Sequence, residues 1–61
     1  METIFILSKI DDGGIRFRGD SNAYDKDKDF IVDESDVFDT MKEISDTYLN
    51  REGLIVNFIC E

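Results

Sequence analysis

Four carboxylates recur along one side of a predicted helix in the second half of the chain. They follow an i, i+3, i+7, i+10 spacing, continued by Asn50, and are Asp36, Asp39, Glu43 and Asp46. At about 100° per residue, their side chains fall within an arc of about 80°. Carboxylates held in a row on a rigid helix can take the place of phosphates at the surface of a basic protein. The spacing therefore indicates electrostatic protein binding.

Further acids precede this helix and are expected to extend the same surface: Asp25, Asp27, Asp29, Asp33 and Glu34. Residues 20–46 contain 10 acids and 3 bases, a net charge of −7 within a whole-chain charge of −8. Such a field repels nucleic acid and anionic membranes and speeds encounter with a basic surface. We expect the basic surface of a nucleic-acid-binding protein as partner, with no direct nucleic-acid binding and no membrane association.

Residues 25–36 partly resemble an EF-hand calcium loop, with acids at loop positions 1, 3, 5 and 9. The match departs at two positions. Phe30 stands where the loop needs glycine for its turn, and Asp36 replaces the glutamate that closes the coordination shell. We therefore expect a solvated acidic loop and no metal site, with weak calcium binding left as an open alternative.

The composition gives little support to catalysis. The chain has no histidine and a single cysteine, Cys60, so it lacks the commonest general base and cannot assemble a typical zinc site or an internal disulfide. Cys60 is expected to be buried as a small apolar side chain of a strand. The small core of a 61-residue chain also leaves little room for an acid in an apolar pocket. We expect a non-enzymatic protein without a cofactor.

Two strands joined by a hairpin are predicted at the start of the chain. Residues 2–10 are largely apolar and β-branched, and Asp12-Gly13 is typical of a two-residue turn. This turn would pair Ile10 with Ile15. The register places five side chains on the core face, Ile4, Ile6, Ile10, Ile15 and Phe17, and turns Arg16 and Arg18 to the other face.

The acidic helix is predicted to run from about residue 35 to 51, with Asp33 or Ser35 as its N-cap and Gly53 as its stop. Its apolar side contains Val37, Phe38, Met41, Ile44, Tyr48 and Leu49. A short strand over residues 30–32 is predicted at a sheet edge. A final strand over residues 54–60 is apolar on both faces, which favours a central position.

These elements predict one domain over residues 1–61 with an α+β fold. It would be a two-layer sandwich in which a small, mainly antiparallel sheet is covered on one face by a single amphipathic helix. The sheet would comprise the β-hairpin, the short third strand and the C-terminal strand. Its uncovered face would carry apolar side chains beside the two arginines, a pattern that favours self-association through Phe5, Leu7, Ile55 and Ile59.

The leading hypothesis is a small acidic protein that inhibits or modulates a nucleic-acid-handling protein by imitating phosphates or DNA. In compactness, acidity and lack of catalytic groups the chain resembles small phage-encoded inhibitors of host enzymes, which implies a viral protein acting in the host cytoplasm. The alternative is a structural or assembly module that homodimerises or docks through the uncovered sheet face. Steep weakening of binding with salt would favour the first.

Overall fold

A computed structural model describes residues 2–61, which form a four-stranded sheet with one helix packed on one face. The strands are β1 (Glu2–Lys9), β2 (Gly14–Gly19), β3 (Asp29–Asp33) and β4 (Ile55–Cys60), and the helix is α1 (Val37–Glu52). Short 3-10 turns at Asp25–Asp27 and Glu34–Asp36 precede β3 and α1. The predicted α+β two-layer fold is confirmed.

The strand order across the sheet is β3-β2-β1-β4. The pairs β1–β2 and β2–β3 are antiparallel, whereas β4 runs parallel to β1. The sheet is therefore mixed rather than mainly antiparallel, because α1 carries the chain from β3 at one edge to β4 at the other. The expectation that the C-terminal strand is central is wrong, since β4 lies at an edge despite its apolar sequence.

Three residues, Asp11–Gly13, lie between Ile10 and Gly14, the last pair bonded across the hairpin, where the sequence predicts a two-residue turn. The N–H of Ile10 donates to the carbonyl of Gly14 at 3.1 Å and closes the loop. Gly13 has a φ of 75°, in the left-handed region that glycine adopts at little cost. A three-residue hairpin loop commonly ends in such a residue.

The extra loop residue shifts the strand register by one position and exchanges the two faces of β1, whereas Ile15 and Phe17 of β2 keep their predicted places on the core side. Leu7 lies opposite Phe17, and the predicted pairing of Ile10 with Ile15 is wrong. Phe5 and Leu7 consequently belong to the core with Phe17. Ile4 and Ile6 share the uncovered face of the sheet, called the open face below, with Arg16 and Arg18.

Aromatic rings fill the space between the sheet and α1. Phe5, Phe17 and Tyr48 are completely buried. Phe5 meets Tyr48 edge to face with ring centroids 5.8 Å apart, and Phe17 stacks on Phe30 at 5.0 Å. Phe58 of β4 contacts both Phe5 and Phe17. Rings from four strands and the helix thus form one continuous core.

Helix α1 begins later than predicted, after the 3-10 turn. Asp36 is its N-cap residue, and no side chain, including those of Asp33 and Ser35, makes a capping hydrogen bond there. At the other end Gly53 has a φ of 65°, and its N–H donates to the carbonyl of Leu49 at 3.1 Å. The predicted glycine stop is confirmed.

The helix packs on the sheet through a narrower side than the sequence indicates. The inward side chains are Val37, Met41, Ile44 and Tyr48. Phe38 and Leu49, predicted in the core, are 82% and 57% exposed. Both lie about a quarter turn or more from the centre of the buried side, where the sheet no longer reaches them.

The Asp20 side chain ties the end of β2 to β1. Its Oδ1 accepts hydrogen bonds from Thr3 Oγ1 at 2.6 Å and from the Asn22 N–H at 2.9 Å, and its Oδ2 accepts from the Ile4 N–H at 3.1 Å. Thr3 is fully buried, so this bond also satisfies its hydroxyl. Partial burial raises the pKa of the Asp20 carboxyl, but the hydrogen bonds outweigh that effect and hold the pKa below its ordinary value of 3.8.

Tyr48 joins the loop after β2 to the helix. Its hydroxyl accepts a hydrogen bond from the Tyr24 N–H at 2.9 Å and donates to Asp27 Oδ2 at 3.2 Å. Burial is the main reason that the pKa of Tyr48 lies above its ordinary value. The 3-10 turn that carries Asp27 is thereby held against α1.

Ile44→Asp should prevent folding. A buried unpaired carboxylate costs several kcal/mol, against about 3–9 kcal/mol of total stability for a chain of this size. The control is Leu49→Asp on the exposed side of the same helix, which should keep its melting temperature within a few degrees in circular dichroism. Cooperative melting of Ile44→Asp at the parent temperature would show that α1 packs through another side.

Asp20→Asn should lower the free energy of unfolding at pH 7 by about 1–3 kcal/mol, because it weakens three hydrogen bonds to a carboxylate. The folded-state pKa is lowered, so the stabilisation is complete above the unfolded pKa near 3.8 and disappears as the pH falls through the folded value. Urea unfolding at pH 7 and at about pH 2.5 should show the difference shrinking in acid.

The matched control is Asp12→Asn in the exposed hairpin loop, where the carboxylate makes no hydrogen bond within residues 2–61. It should leave the unfolding free energy nearly unchanged at both pH values. Equal effects of the two substitutions would contradict the role given to Asp20.

Candidate protein-binding surface

The four helix acids lie together on the outer side of α1. Asp36, Asp39, Glu43 and Asp46 are all exposed, and they project away from the side that packs on the sheet. We call these four residues the acidic stripe. Asn50 is exposed in the same register. The stripe extends over about 15 Å of helix axis.

Two open grooves flank the stripe and add further acids to it. The first lies between β3 and α1, where Asp33 meets Asp36, Asp39 and Glu43 around the side chain of Thr40. The second lies between the 3-10 turn and α1, where Asp27 and Glu43 share the lining with Lys26, Phe30, Thr47 and Tyr48. The predicted extension of the stripe is thus brought together at Asp33 and Asp27.

Three other predicted acids lie apart from the stripe. Asp25 is fully exposed and forms an ion pair with Lys28 at 3.2 Å. Asp29 lies on the open face because side chains of β3 alternate, and both of its oxygens contact the guanidinium of Arg16. The hydrogen bond from Arg16 is the main cause of the lowered pKa of the Asp29 carboxyl. Glu34 lies on the other flank of the helix N-terminus, in a depression that Lys9 also lines.

The acids of the stripe form no ion pairs with bases of the described residues. Within residues 2–61 the ion pairs join Arg16 to Asp29, Arg18 to Glu61 and Lys28 to Asp25, and none includes a stripe residue. Acids three and four positions apart on a helix repel each other at a cost of a few tenths of a kcal/mol per pair. The stripe residues therefore remain available for ion pairs with a partner.

The segment that resembles an EF-hand loop does not form one. Its middle is the extended strand β3, which sends Asp29 and Ile31 to one side and Phe30 to the other. No group of three or more metal-ligating side chains that could hold an ion is found within residues 2–61. No helix in the same range is long and apolar enough to span a bilayer.

A second surface, the open face, carries five isoleucines, two of which, Ile4 and Ile6, were predicted in the core. Ile4 and Ile6 of β1 are half-buried there, while Ile31, Ile55 and Ile59 are at least half exposed. A signal was present in the Asp-Asp-Gly-Gly segment, because a second glycine after the turn allows a three-residue loop and with it the opposite face assignment.

Of the four residues predicted for the uncovered sheet face, two lie there and two lie in the core. Ile55 and Ile59 lie on the open face, with exposed fractions of 63% and 50%. Phe5 and Leu7 lie in the core, because the shifted hairpin register turns them toward α1. Cys60, predicted to be buried, is exposed at the end of β4.

Two ion pairs cross the open face between its isoleucines. Arg18 reaches over β1 to Glu61 at 2.7 Å, and Arg16 bonds Asp29 on β3. The arginines are thereby engaged on the side of the sheet opposite the acidic stripe. The molecule has an acidic helix side and an apolar, nearly charge-balanced sheet side.

Comparisons of the chain with protein-family models, with curated proteins and with solved structures found no match.

Proposed function

We propose that this chain is a small acidic protein that binds a nucleic-acid-handling protein and inhibits or modulates it by presenting carboxylates in place of phosphates. The observation that carries the proposal is the exposed stripe of Asp36, Asp39, Glu43 and Asp46, none of which has an ion-pair partner within residues 2–61. A basic cleft would supply the missing counter-charges.

The density of negative charge supports this chemistry when the grooves are included. Four acids over about 15 Å give one charge per roughly 5 Å of axis, compared with one per about 3.4 Å for a single DNA strand. Asp33 and Asp27 line the flanking grooves and raise the local density toward that of nucleic acid. The rigid helix fixes the spacing before binding, which lowers the entropic cost of association.

The sign and placement of charge argue against direct nucleic-acid binding. The net charge is −8. The two arginines of the sheet already contact carboxylates on the open face. A phosphate backbone would be repelled by the acids on the helix side, and on the sheet side it would meet arginines that are already paired with carboxylates.

A second candidate is a structural or assembly module, which the open face favours. Ile31, Ile55 and Ile59 are exposed there, and clustered exposed apolar side chains commonly mark protein interfaces. Ionic strength distinguishes the two candidates. Binding through the stripe weakens steeply as salt rises through the physiological range, whereas binding through isoleucines barely changes.

Reversing Asp39 and Glu43 to lysine should leave the fold intact and reduce partner binding at least tenfold, mainly through a slower association rate. The immobilised protein is exposed to lysate of the source cells, and captured proteins are identified by mass spectrometry and challenged with duplex DNA. The proposal expects nucleic-acid-binding proteins that DNA displaces. Kinetics with the purified captured protein then give the association rate for each variant.

The matched control reverses Asp11 and Asp12 in the hairpin loop, which changes the net charge by the same amount outside the stripe. This control should bind at nearly the parent rate. Equal weakening by both double variants would assign the effect to net charge alone. Parent-like binding by both would show that the stripe is only a solvated helix surface.

A further inference from the structure

Strand β4 lies at an edge of the sheet although its sequence suits an internal strand. Residues 54–60 contain no charged residue and no proline, and only Asn57 interrupts the apolar side chains on its two faces. Natural edge strands are usually protected by charges, prolines, bulges or a covering segment. The opposite edge, β3, begins with Asp29 and ends with Asp33. Strand β4 has no comparable protection.

The free edge of β4 presents a regular row of backbone groups. The N–H of Glu61 donates to the carbonyl of Leu7 at 2.8 Å, so the odd-numbered residues of this segment direct their N–H and C=O groups toward β1. The backbone groups of Val56, Phe58 and Cys60 therefore point outward. No hydrogen bond within residues 2–61 engages them across that edge.

We infer that β4 pairs in antiparallel orientation with β4 of a second copy, across a two-fold axis at Asn57, and joins two sheets into one of eight strands. The segment Ile55-Val56-Asn57-Phe58-Ile59 is close to a palindrome of large apolar residues about its centre. Antiparallel pairing about that centre places Ile55 opposite Ile59, Val56 opposite Phe58, and Asn57 opposite itself. Each pair shares a face, as a continuous sheet requires.

Asn57 is suited to the position on the axis. Its Nδ2 donates to Glu2 Oε2 at 2.6 Å, which orients the amide on the open face. Its Oδ1 and second amide hydrogen make no bond within residues 2–61 and can be exchanged with the second copy. The two asparagines would form a pair without backbone hydrogen bonds, where the Cα atoms lie only about 4.5 Å apart. A polar pair on the axis fixes one register among apolar neighbours.

Charge favours a second copy as the occupant of this edge. Two molecules of charge −8 repel each other, but residues 20–46 hold a net −7 and residues 54–60 hold no charge. Of the acids beside the strand, Glu61 is paired with Arg18 and Glu2 accepts the amide hydrogen bond of Asn57. A basic partner would be drawn to the stripe instead. One strand pair with isoleucine contacts at each end forms an interface at the low end of specific interface areas, so we expect association at micromolar concentration.

The inference is independent of the proposed function and is tested by sedimentation equilibrium from about 1 μM to about 1 mM. The parent chain should show a reversible monomer–dimer equilibrium. Ile55→Lys should raise the dimer dissociation constant by about a hundredfold or more, because the two-fold axis repeats the change at both ends of the seam. A monomer over the whole range would overturn the inference.

Ile31→Lys is the matched control for Ile55→Lys. Both isoleucines lie exposed on the open face to nearly the same extent, 59% and 63%, but at opposite edges of the sheet. Ile31→Lys should leave the dissociation constant within about threefold of the parent value. Equal loss of dimer in the two variants would indicate face-to-face association and reject the edge pairing. Circular dichroism checks that both variants remain folded.

Cysteine cross-linking tests the register directly in a Cys60→Ser background. Asn57→Cys would place two thiols on the axis, and mild oxidation should give a disulfide-linked dimer. Ile55→Cys is the control, since its thiols in the two copies would be separated by about four residues, or roughly 13 Å, beyond the reach of a disulfide. Cross-linking of Ile55→Cys in preference to Asn57→Cys would overturn the proposed pairing.

Discussion

Strand β1 pairs with β2 on one side and with β4 on the other, and the parallel pairing with β4 holds the two ends of the described chain together. It brings Phe58 beside Phe5, and the ring of Phe5 in turn meets Tyr48 of the helix edge to face. A helix of 16 residues is marginal by itself in water and needs a packed side to persist. Without β4, α1 would lose its anchor at the far edge of the sheet, and the acidic stripe would lose the rigid support that fixes its spacing.

One helix cannot cover both faces of a four-stranded sheet, and this limit shapes the rest of the surface. The face toward α1 takes the aromatic rings, and the open face keeps the isoleucines. Exposed ion pairs such as Arg16–Asp29 and Arg18–Glu61 stabilise a protein little, about 0–1 kcal/mol each. Arg18 nevertheless shares a shallow depression of the open face with Ile4 and Ile6. The acids of the stripe thus lie on the helix side of the molecule, whereas acids and arginines pair with each other on the sheet side.

The helix and the fold class were predictable from the sequence because both depend on signals that repeat. The acid spacing and Gly53 define the outward side and the end of α1, and burial of Ile44 and Tyr48 agrees with them. Which side chains of β1 face the core could not be predicted as firmly. This assignment depends on a single residue in the loop, where Asp-Asp-Gly-Gly permits loops of two or three residues, and each choice reverses every side chain of the strand.

The edge position of β4 was missed for a different reason. Apolar residues on both faces of a strand indicate that both faces can be buried, but they do not indicate which neighbouring elements cover them. In the single chain, α1 shelters Val56 and Phe58 from one side, while Ile55 and Ile59 stay exposed on the other. The acids predicted to extend the stripe fall into two groups in the structure. Asp33 and Asp27 line the grooves beside the stripe, whereas the alternation of side chains along β3 places Asp29 on the opposite face of the sheet.

The order of the strands along the chain also determines when each strand pair can form during synthesis. Strand β1 leaves the ribosome before its partner β4, which follows about 50 residues later, after roughly 3–10 s of elongation. During that interval the hairpin can form, but one edge of β1 and the aromatic surface around Phe5 have no cover. Parallel pairing between distant segments is intrinsically slow to form. The nascent chain therefore exposes the apolar surface of an incomplete sheet, to which chaperones can bind. Its high negative charge then makes neighbouring nascent chains on the same polysome repel each other, which opposes aggregation.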